Sequence, residues 1–479
     1  MRQPDLSLIR RFSGPITAAP ADDALQGMQT AVKIRPALAV DPLDSYDVVR
    51  AVHHAAAQRT PVAVSSTGHG ATSLNGGLLI RTHRMSHVTV DPHTRTADIG
   101  AGATWGQVIE AAAQHGLAPL SGTATTVGAV GYTLGGGISP LSRAFGYAAD
   151  HVVDLDIVTP DGRLRYVSAD DDPDLFWAAR GAGAHLGVVT RMKCRLFHID
   201  RVLAGAISIT VNDWAAVTDR FVTWSADLPE RTGALLSLKS FPDLPNLPDA
   251  IRGKRTATIY VTSIGAESDA ADQVRALGGI VRESPRLTPM PPADLAAVFN
   301  EPAGPHAFQG DAIAVSDVNA EPLAAGLGSL VNSARPQFLF IHRLGGAMSR
   351  EPDQGTAIGN RAAEYLVRIV TSPAPTDDPT AVAIEQDDVL RSMSIEPTGR
   401  VPNFLFGDNL GVARVTDCYT AEDLRRLGRI TAPVDPDSLL MPARGRLDGA
   451  ATAARTEDSQ YREPRGHQDP GTCEVNSHG

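Results

Sequence analysis

Apolar positions in the first part of the chain follow two different periods. Val48, Val49, Val52, Ala55 and Ala56 fall at i, i+1, i+4, i+7 and i+8 behind Asp44 and Ser45, which predicts a capped helix. A short run carrying Val62 and Val64 follows and reads as a buried strand that ends in VSSTGHG, residues 64–70. Two further strands are expected at residues 87–90 and 96–99, on either side of a DPHT turn. Thr104 with Gln107 three residues later is a capping box, and Gly116 closes a helix over residues 105–115. Helices and strands thus alternate within about 70 residues, which points to α/β or α+β layering.

Residues 122–137, GTATTVGAVGYTLGGG, break this pattern. Each glycine in a helix interior costs about 1 kcal/mol relative to alanine, so glycines at 128, 131, 135, 136 and 137 predict a tight loop or extended backbone lying close to a ligand. Their spacing does not fit the G-x-G-x-x-G of a dinucleotide-binding turn. Val153, Leu155 and Ile157 alternate with Asp154 and Asp156, then TPDG at 159–162 turns the chain into a hairpin. A short helix at 174–179 precedes a third glycine-rich turn, RGAGAHLGVVT at 180–190. Beyond residue 200 the glycine clusters stop. Alternation at Ile207, Ile209 and Val211, with amphipathic helices at 267–277 and 378–393, predicts an α+β module on a mainly antiparallel sheet. The stretches VPNFLFGDN (401–409) and 424–440 are expected to pack back on the first domain. The expected division is 1–200, 201–395 and a returning segment at 396–448, with a polar, disordered tail at 449–479.

With 479 residues, two domains are expected. The 43 basic and 54 acidic residues leave a net charge of −11, which argues against nucleic acid or an anionic membrane surface and for a small-molecule partner. Cys194, Cys418 and Cys473 are too few and scattered for a disulfide framework or a zinc site. With no apolar leader in residues 1–36, and no run near the roughly 18 apolar residues of a membrane span, a reducing cytoplasm is expected. His83 and His87 read as strand positions roughly 13 Å apart and cannot share an ion. His53 and His54 diverge on their helix, so no metal is expected. Glu385, Asp387 and Asp388 read as a solvated helix face, and no G-x-S-x-G elbow is present. What remains is His69 between two glycines, with two more glycine-rich turns downstream. A phosphate-cradling turn with a chemically active histidine, and a plain turn whose histidine bonds a carbonyl, are both open from these residues alone.

VSSTGHG, GTATTVGAVGYTLGGGISPLSRAFGYAADHV and GAGAHLGVVT, in this order, resemble the FAD motifs of the vanillyl-alcohol oxidase and para-cresol methylhydroxylase type of oxidoreductase, in its berberine-bridge-enzyme-like branch. IHRLGGAMS at 341–349 resembles a strand and loop of the family's substrate domain. The resemblance implies an α+β, two-domain PCMH-type FAD-binding fold, with the FAD domain at 1–200 and the substrate domain at 201–395. It implies a histidyl bond from His69 to the flavin 8α-methyl, with Ser65, Ser66, Thr67, Gly68 and Gly70 forming the pyrophosphate turn. Gly122, Thr123, Thr126, Val127, Gly128 and Gly131 would line the flavin, and Gly187 and Val189 would lie near adenine or ribose. Ala124 replaces the cysteine that makes a second link in many relatives, so His69 is expected to be the only covalent anchor. Val401 replaces the tyrosine of a Tyr-x-Asn motif whose asparagine, Asn403, is retained on the cofactor side. Tyr132 and His342 are the remaining catalytic candidates, though Tyr132 reads equally as a packing residue. The implied reaction is oxidation of a small alcohol, phenol, amine or sugar by hydride transfer to flavin, with dioxygen as acceptor. The alternatives are a dehydrogenase using another acceptor and a non-catalytic flavin or metabolite binder. A nicotinamide-dependent reductase would need a dinucleotide site, and none is found. Oligomeric state is not assigned.

Overall fold

The computed structural model describes residues 11–20, 25–209, 213–245, 247–278, 280–281, 286–318, 320–407 and 415–440. Val211, Cys473 and the expected tail at 449–479 lie outside them.

Two larger sheets and two two-stranded ones form the N-terminal half. The first has strands Ile16–Ala18 (β1), Leu38–Val40 (β2), Val62–Ser65 (β3) and Leu78–Arg81 (β4) in the order β1-β2-β4-β3, with β4 parallel to both neighbours. Helix α1, Ser45–Gln58, covers it. The Asp44 carboxylate caps the helix by accepting from Asp47 N–H, and Val48, Val52 and Ala55 are buried. The second sheet has strands Val88–Asp91 (β5), Thr96–Gly100 (β6), Val152–Val158 (β7), Leu164–Ser168 (β8) and Val188–Arg195 (β9) in the order β8-β7-β9-β6-β5, all antiparallel. The capping box at Thr104 and Gln107 starts α2, Trp105–Ala113.

The third sheet is antiparallel and eight-stranded: Val202–Ile209 (β10), Thr232–Ser240 (β11), Arg255–Ser263 (β12), Thr288–Met290 (β13), Gln309–Val315 (β14), Gln337–Arg343 (β15), Tyr365–Thr371 (β16) and Gly399–Arg400 (β17), ordered β13-β10-β12-β11-β15-β16-β14-β17. Period-two alternation divides its residues between two environments. Leu236, Ile259, Ile341, Val367 and Ile313 meet the helices Trp214–Ala226, Glu267–Arg275, Ala320–Val331 and Pro379–Ser392 in one apolar core. Leu235 and Tyr260 instead pack with Leu120, Leu141, Ala148 and Tyr132 of the N-terminal half. Arg143 fastens the halves: its buried guanidinium donates to the carbonyls of Thr232 (2.8 Å), Leu228 (2.7 Å) and Leu344. The chain then returns. Val62 N–H donates to Leu439 C=O at 2.8 Å, and Leu405, Val415, Cys418, Tyr419 and Leu427 complete the N-terminal core. Among the described residues no helix is long and apolar enough to cross a membrane.

Four local expectations are corrected. Residues Ala129–Leu134 form a short helix, α3, where loop or extended backbone was expected. A Cβ at Gly131 would meet nothing within 4 Å, and burial of Ala129, Val130, Thr133 and Leu134 holds the turn despite its glycine. Val64 is 40% exposed, because only Val62 of that strand points at α1. His83 sits on a 3-10 turn, Thr82–Arg84, where the Thr82 hydroxyl donates to Ala101 C=O at 3.2 Å. Glu385 and Asp387 are not a free acidic face: Glu385 accepts from Arg335 (2.6 Å) and Gln337 (2.8 Å), and Asp387 pairs with Arg391 at 2.6 Å.

Candidate functional site

Gly68 of VSSTGHG is required by close backbone packing. Gly68 has φ +80°, and a Cβ there would stand 2.8 Å from Gly27 Cα and 3.2 Å from Met28 N. Backbone cannot yield as a flexible side chain does. Gly68→Ala is therefore expected to destabilise the protein by about 1–3 kcal/mol. Gly76→Ala, at φ +81° with nothing within 4 Å of its Cβ, isolates the cost of φ alone and should lose less. Chemical denaturation of the two variants checks this, and equal losses would contradict it.

Across from this turn, Gly128 brings a second backbone alongside: a Cβ on it would lie 3.2 Å from Ser66 Oγ. That hydroxyl is buried without a hydrogen-bond partner. Residues 121–127 are all half-buried and Gly131 is exposed, so a strip of loop backbone is left uncovered beside the turn. A narrow concavity of small residues, an unpartnered hydroxyl and an uncovered backbone strip fit a flat, phosphate-bearing group such as FAD. Ser65, Ser66, Thr67, Gly68, Gly70, Gly122, Thr123, Thr126, Val127 and Gly128 are the residues that could hold it.

His69 joins the two walls, its Nε2 hydrogen-bonded to Thr126 Oγ1 at 3.0 Å. Burial, with the neighbouring His306 adding to it, lowers its pKa to about 4, and the bond to Thr126 offsets only part of this. The ring is neutral at pH 7, which leaves a nitrogen lone pair for nucleophilic attack.

The concavity continues toward the eight-stranded sheet through Tyr132 and the returning segment. Tyr132 lies edge-on to Trp105 with centroids 5.4 Å apart, packed where Gly122 and Gly137 have no side chain, and its hydroxyl is buried without a partner. Asn403 spans the junction, donating to Tyr132 C=O at 2.8 Å and accepting from Gly137 N–H at 3.2 Å. Removing both bonds by Asn403→Ala is expected to cost about 1–3 kcal/mol. A denaturation midpoint equal to that of the parent protein would contradict that role. Next to Asn403, the Phe404 ring packs on His342 at 5.7 Å and on the Arg368 guanidinium at 4.9 Å. Register sets His342 beside Leu235 and Leu366, and Arg368 beside Phe340 and Ala312, all on the side of the sheet turned to the N-terminal half. His342 Nε2, Arg368 Nε and Ser237 Oγ are buried without partners on that side. The segment at 301–306 closes the ring of contacts: Glu301 accepts from the Thr123 hydroxyl at 3.1 Å, and His306 lies near enough to act on His69.

Val189 and Gly187 stand apart from this arrangement. Val189 is buried in the core beside Ile157, and a Cβ at Gly187 would lie 2.5 Å from Val158 O. Val401, at the place of the expected tyrosine, packs with Ala312, Ala314 and Leu366. Arg368, Ser237, Glu301 and His306 were not found by sequence reasoning. For Arg368 a signal existed: YLVRIVT sets one charge into an otherwise apolar alternating strand. A separate small hollow beside Gly181 and Tyr419 contains none of the candidate catalytic residues.

Residues 36–168 match the family model of an FAD-binding domain. The (R)-6-hydroxynicotine oxidase of Paenarthrobacter nicotinovorans is 34% identical over 208 residues, 43% of this chain and 42% of that enzyme, so the match spans under half the length of this curated relative. The chain carries an FAD-binding domain, and its relatives include proteins named as FAD-linked oxidoreductases. For this PCMH-type fold the likeness extends through both halves. A chitooligosaccharide oxidase superposes with TM-score 0.78 at 22% identity, covering 90% of this chain and 97% of its own. The glucooligosaccharide oxidase of Acremonium strictum, described as carrying 6-S-cysteinyl, 8α-N1-histidyl FAD, superposes with TM-score 0.76 at 18% identity over 91% and 97% of the two chains. At such identity these two neighbours bear on the fold alone.

Proposed function

We propose that the protein is an FAD-dependent oxidase of a small organic substrate, with the flavin attached through His69 only and dioxygen as the electron acceptor. The observation that carries this reading is His69 itself, a neutral imidazole with one nitrogen held by Thr126, standing in a glycine-lined concavity that continues to the partnerless groups of the facing sheet. FAD, when bound, accepts a hydride from substrate carbon and passes the electrons to dioxygen, giving hydrogen peroxide. The chain does the rest. Ser65, Ser66, Thr67, Gly68 and Gly70 hold the pyrophosphate, and Gly122, Thr123, Thr126, Val127, Gly128 and Gly131 line the ring system. Gly187 and Val189 would lie near the adenine or ribose, acting through the core they pack in. Asn403 fixes the backbone on which Tyr132 and the triple glycine stand. His342 takes the proton from the substrate hydroxyl or amine on Nε2 while the hydride leaves, and Tyr132 keeps its proton and donates.

A single histidyl link is supported by Ala124 at the cysteine position. It is supported also by Cys194 and Cys418, both buried in packed regions away from the concavity. The buried free thiol of Cys194 accords with a reducing compartment such as the cytoplasm. The substrate is proposed to enter between the FAD-binding half (1–200) and the sheet of 201–395.

Anaerobic bleaching of the flavin by a panel of secondary alcohols, phenols, amines and oligosaccharides, followed by peroxide assay in air, tests the proposal. Bleaching with peroxide formation is expected for one of these classes. Bleaching without peroxide would replace dioxygen by another acceptor and make the protein a dehydrogenase. No bleaching by any class would make it a binder.

A further inference from the structure

Arginines enclosed in this fold are satisfied by acceptors. Arg143 and Arg180 bond backbone carbonyls. Arg191 holds Asp98, Asp154 and Asp156, and Arg361 holds Asp150. Arg368 differs. Its Nε is buried without a hydrogen-bond partner, as is that of Arg361, but unlike Arg361 it has no carboxylate within ion-pair distance among the described residues. Glu301 is the one acidic group that acts on it, and only from beyond contact, since Glu301 is exposed and engaged with Thr123. The guanidinium lies between the rings of Phe340, at 4.1 Å, and Phe404, at 4.9 Å. Such stacking returns only a fraction of what removing an unpaired cation from water costs. Cation–π contact alone does not explain why a charge is kept here. Arg368 as a whole is half-buried, on the side of the sheet where His342 and Tyr132 border the cleft.

We propose that the cleft takes a substrate bearing a carboxylate, and that Arg368 binds this carboxylate while the aromatic wall beside it receives an attached ring. This deepens the oxidase reading and rests on it for the identity of the cleft. The class named is a small aromatic acid: a planar guanidinium matches a carboxylate in two parallel hydrogen bonds. Phe404 also continues into an edge-to-face series, 6.2 Å to Phe406 and 5.6 Å from there to Phe308. Unpartnered Ser237 Oγ stands one strand away from Phe340 on the same side and supplies a further polar contact. Arg368 would thus set substrate choice, with the proton still going to His342.

Isothermal titration of the flavin-loaded protein with benzoate and phenylacetate, against benzamide and phenylacetamide, reads this directly and needs no turnover. The acids are expected to bind saturably, and the amides about tenfold or more weakly, the loss of one charge-assisted contact. Arg368→Gln should abolish the preference with flavin content unchanged, and Arg368→Lys should restore part of it. If Arg368→Gln does not fold, the acid-to-amide comparison on the parent protein and on Arg368→Lys still decides. Equal binding of acids and amides, no binding of the acids, or a preference that survives Arg368→Gln would each overturn the proposal. Acid preference without any flavin bleaching would overturn the oxidase reading and leave the carboxylate site standing. Oxidation of a neutral substrate with no acid preference would do the reverse.

Discussion

Substituting His342 by glutamine is expected to slow substrate-dependent bleaching of the flavin by about 10²–10⁴-fold, the usual contribution of a positioned base, while flavin content stays unchanged. Two groups compete for that role, and their environments separate them. Burial pushes the Tyr132 phenol well above its ordinary pKa of 10.0, so at neutral pH it holds its proton and can only donate. Burial, with the positive Arg368 nearby, pushes His342 well below 6.5, so its Nε2 is unprotonated and free to accept. The sign of the pH dependence follows. A base with a lowered pKa is fully active across neutral pH and loses activity only as pH falls through that lowered value. A histidine with an ordinary pKa would already be half lost near pH 6.5. A flat rate from pH 8 down past 6.5 in the parent enzyme is therefore expected. A large loss in Tyr132→Phe with a normal rate in His342→Gln would move the base to Tyr132.

Substituting His69 by alanine is expected to abolish every covalent link between flavin and polypeptide. The acid-denatured variant should be colourless and its supernatant yellow. No cysteinyl link takes its place, because Ala124 has no nucleophile and the described cysteines are buried in the core. With the His69 pKa lowered to about 4, attachment to added FAD should proceed equally at pH 7 and pH 5 and fail only as the ring protonates near pH 4. Onset of failure near pH 6.5 would mean that His69 is not the buried, neutral group described above. Colour retained by denatured His69→Ala would place the link on another residue.

What the sequence disclosed follows from the range of the forces involved. The cap at Asp44, the capping box at Thr104 and Gln107, the hairpin at 152–168 and the turn around Gly68 are set by neighbours a few residues apart, and all were legible. Helix α3 was not, because the glycine count weighs intrinsic propensity whereas burial of Ala129, Val130, Thr133 and Leu134 decides the outcome. The acidic positions on Pro379–Ser392 looked solvated because Arg335 and Arg400, their partners, come from other elements. The same holds at the candidate site. His69 announced itself between two glycines. The set His342, Arg368, Ser237 and Phe404 exists only because three strands and a returning segment bring together residues scattered from 237 to 404, and no local pattern encodes that register. Asn403 was legible by resemblance, but its role as a clamp on Tyr132 and Gly137 was visible only in three dimensions.

The central claim is the His69–flavin bond, and acid precipitation of the purified parent protein tests it most directly. The yellow colour should stay with the precipitated polypeptide, and after proteolysis one flavin-bearing peptide should contain residue 69 and no other should carry flavin. Release of all colour into the supernatant, or flavin on a peptide lacking His69, would contradict it.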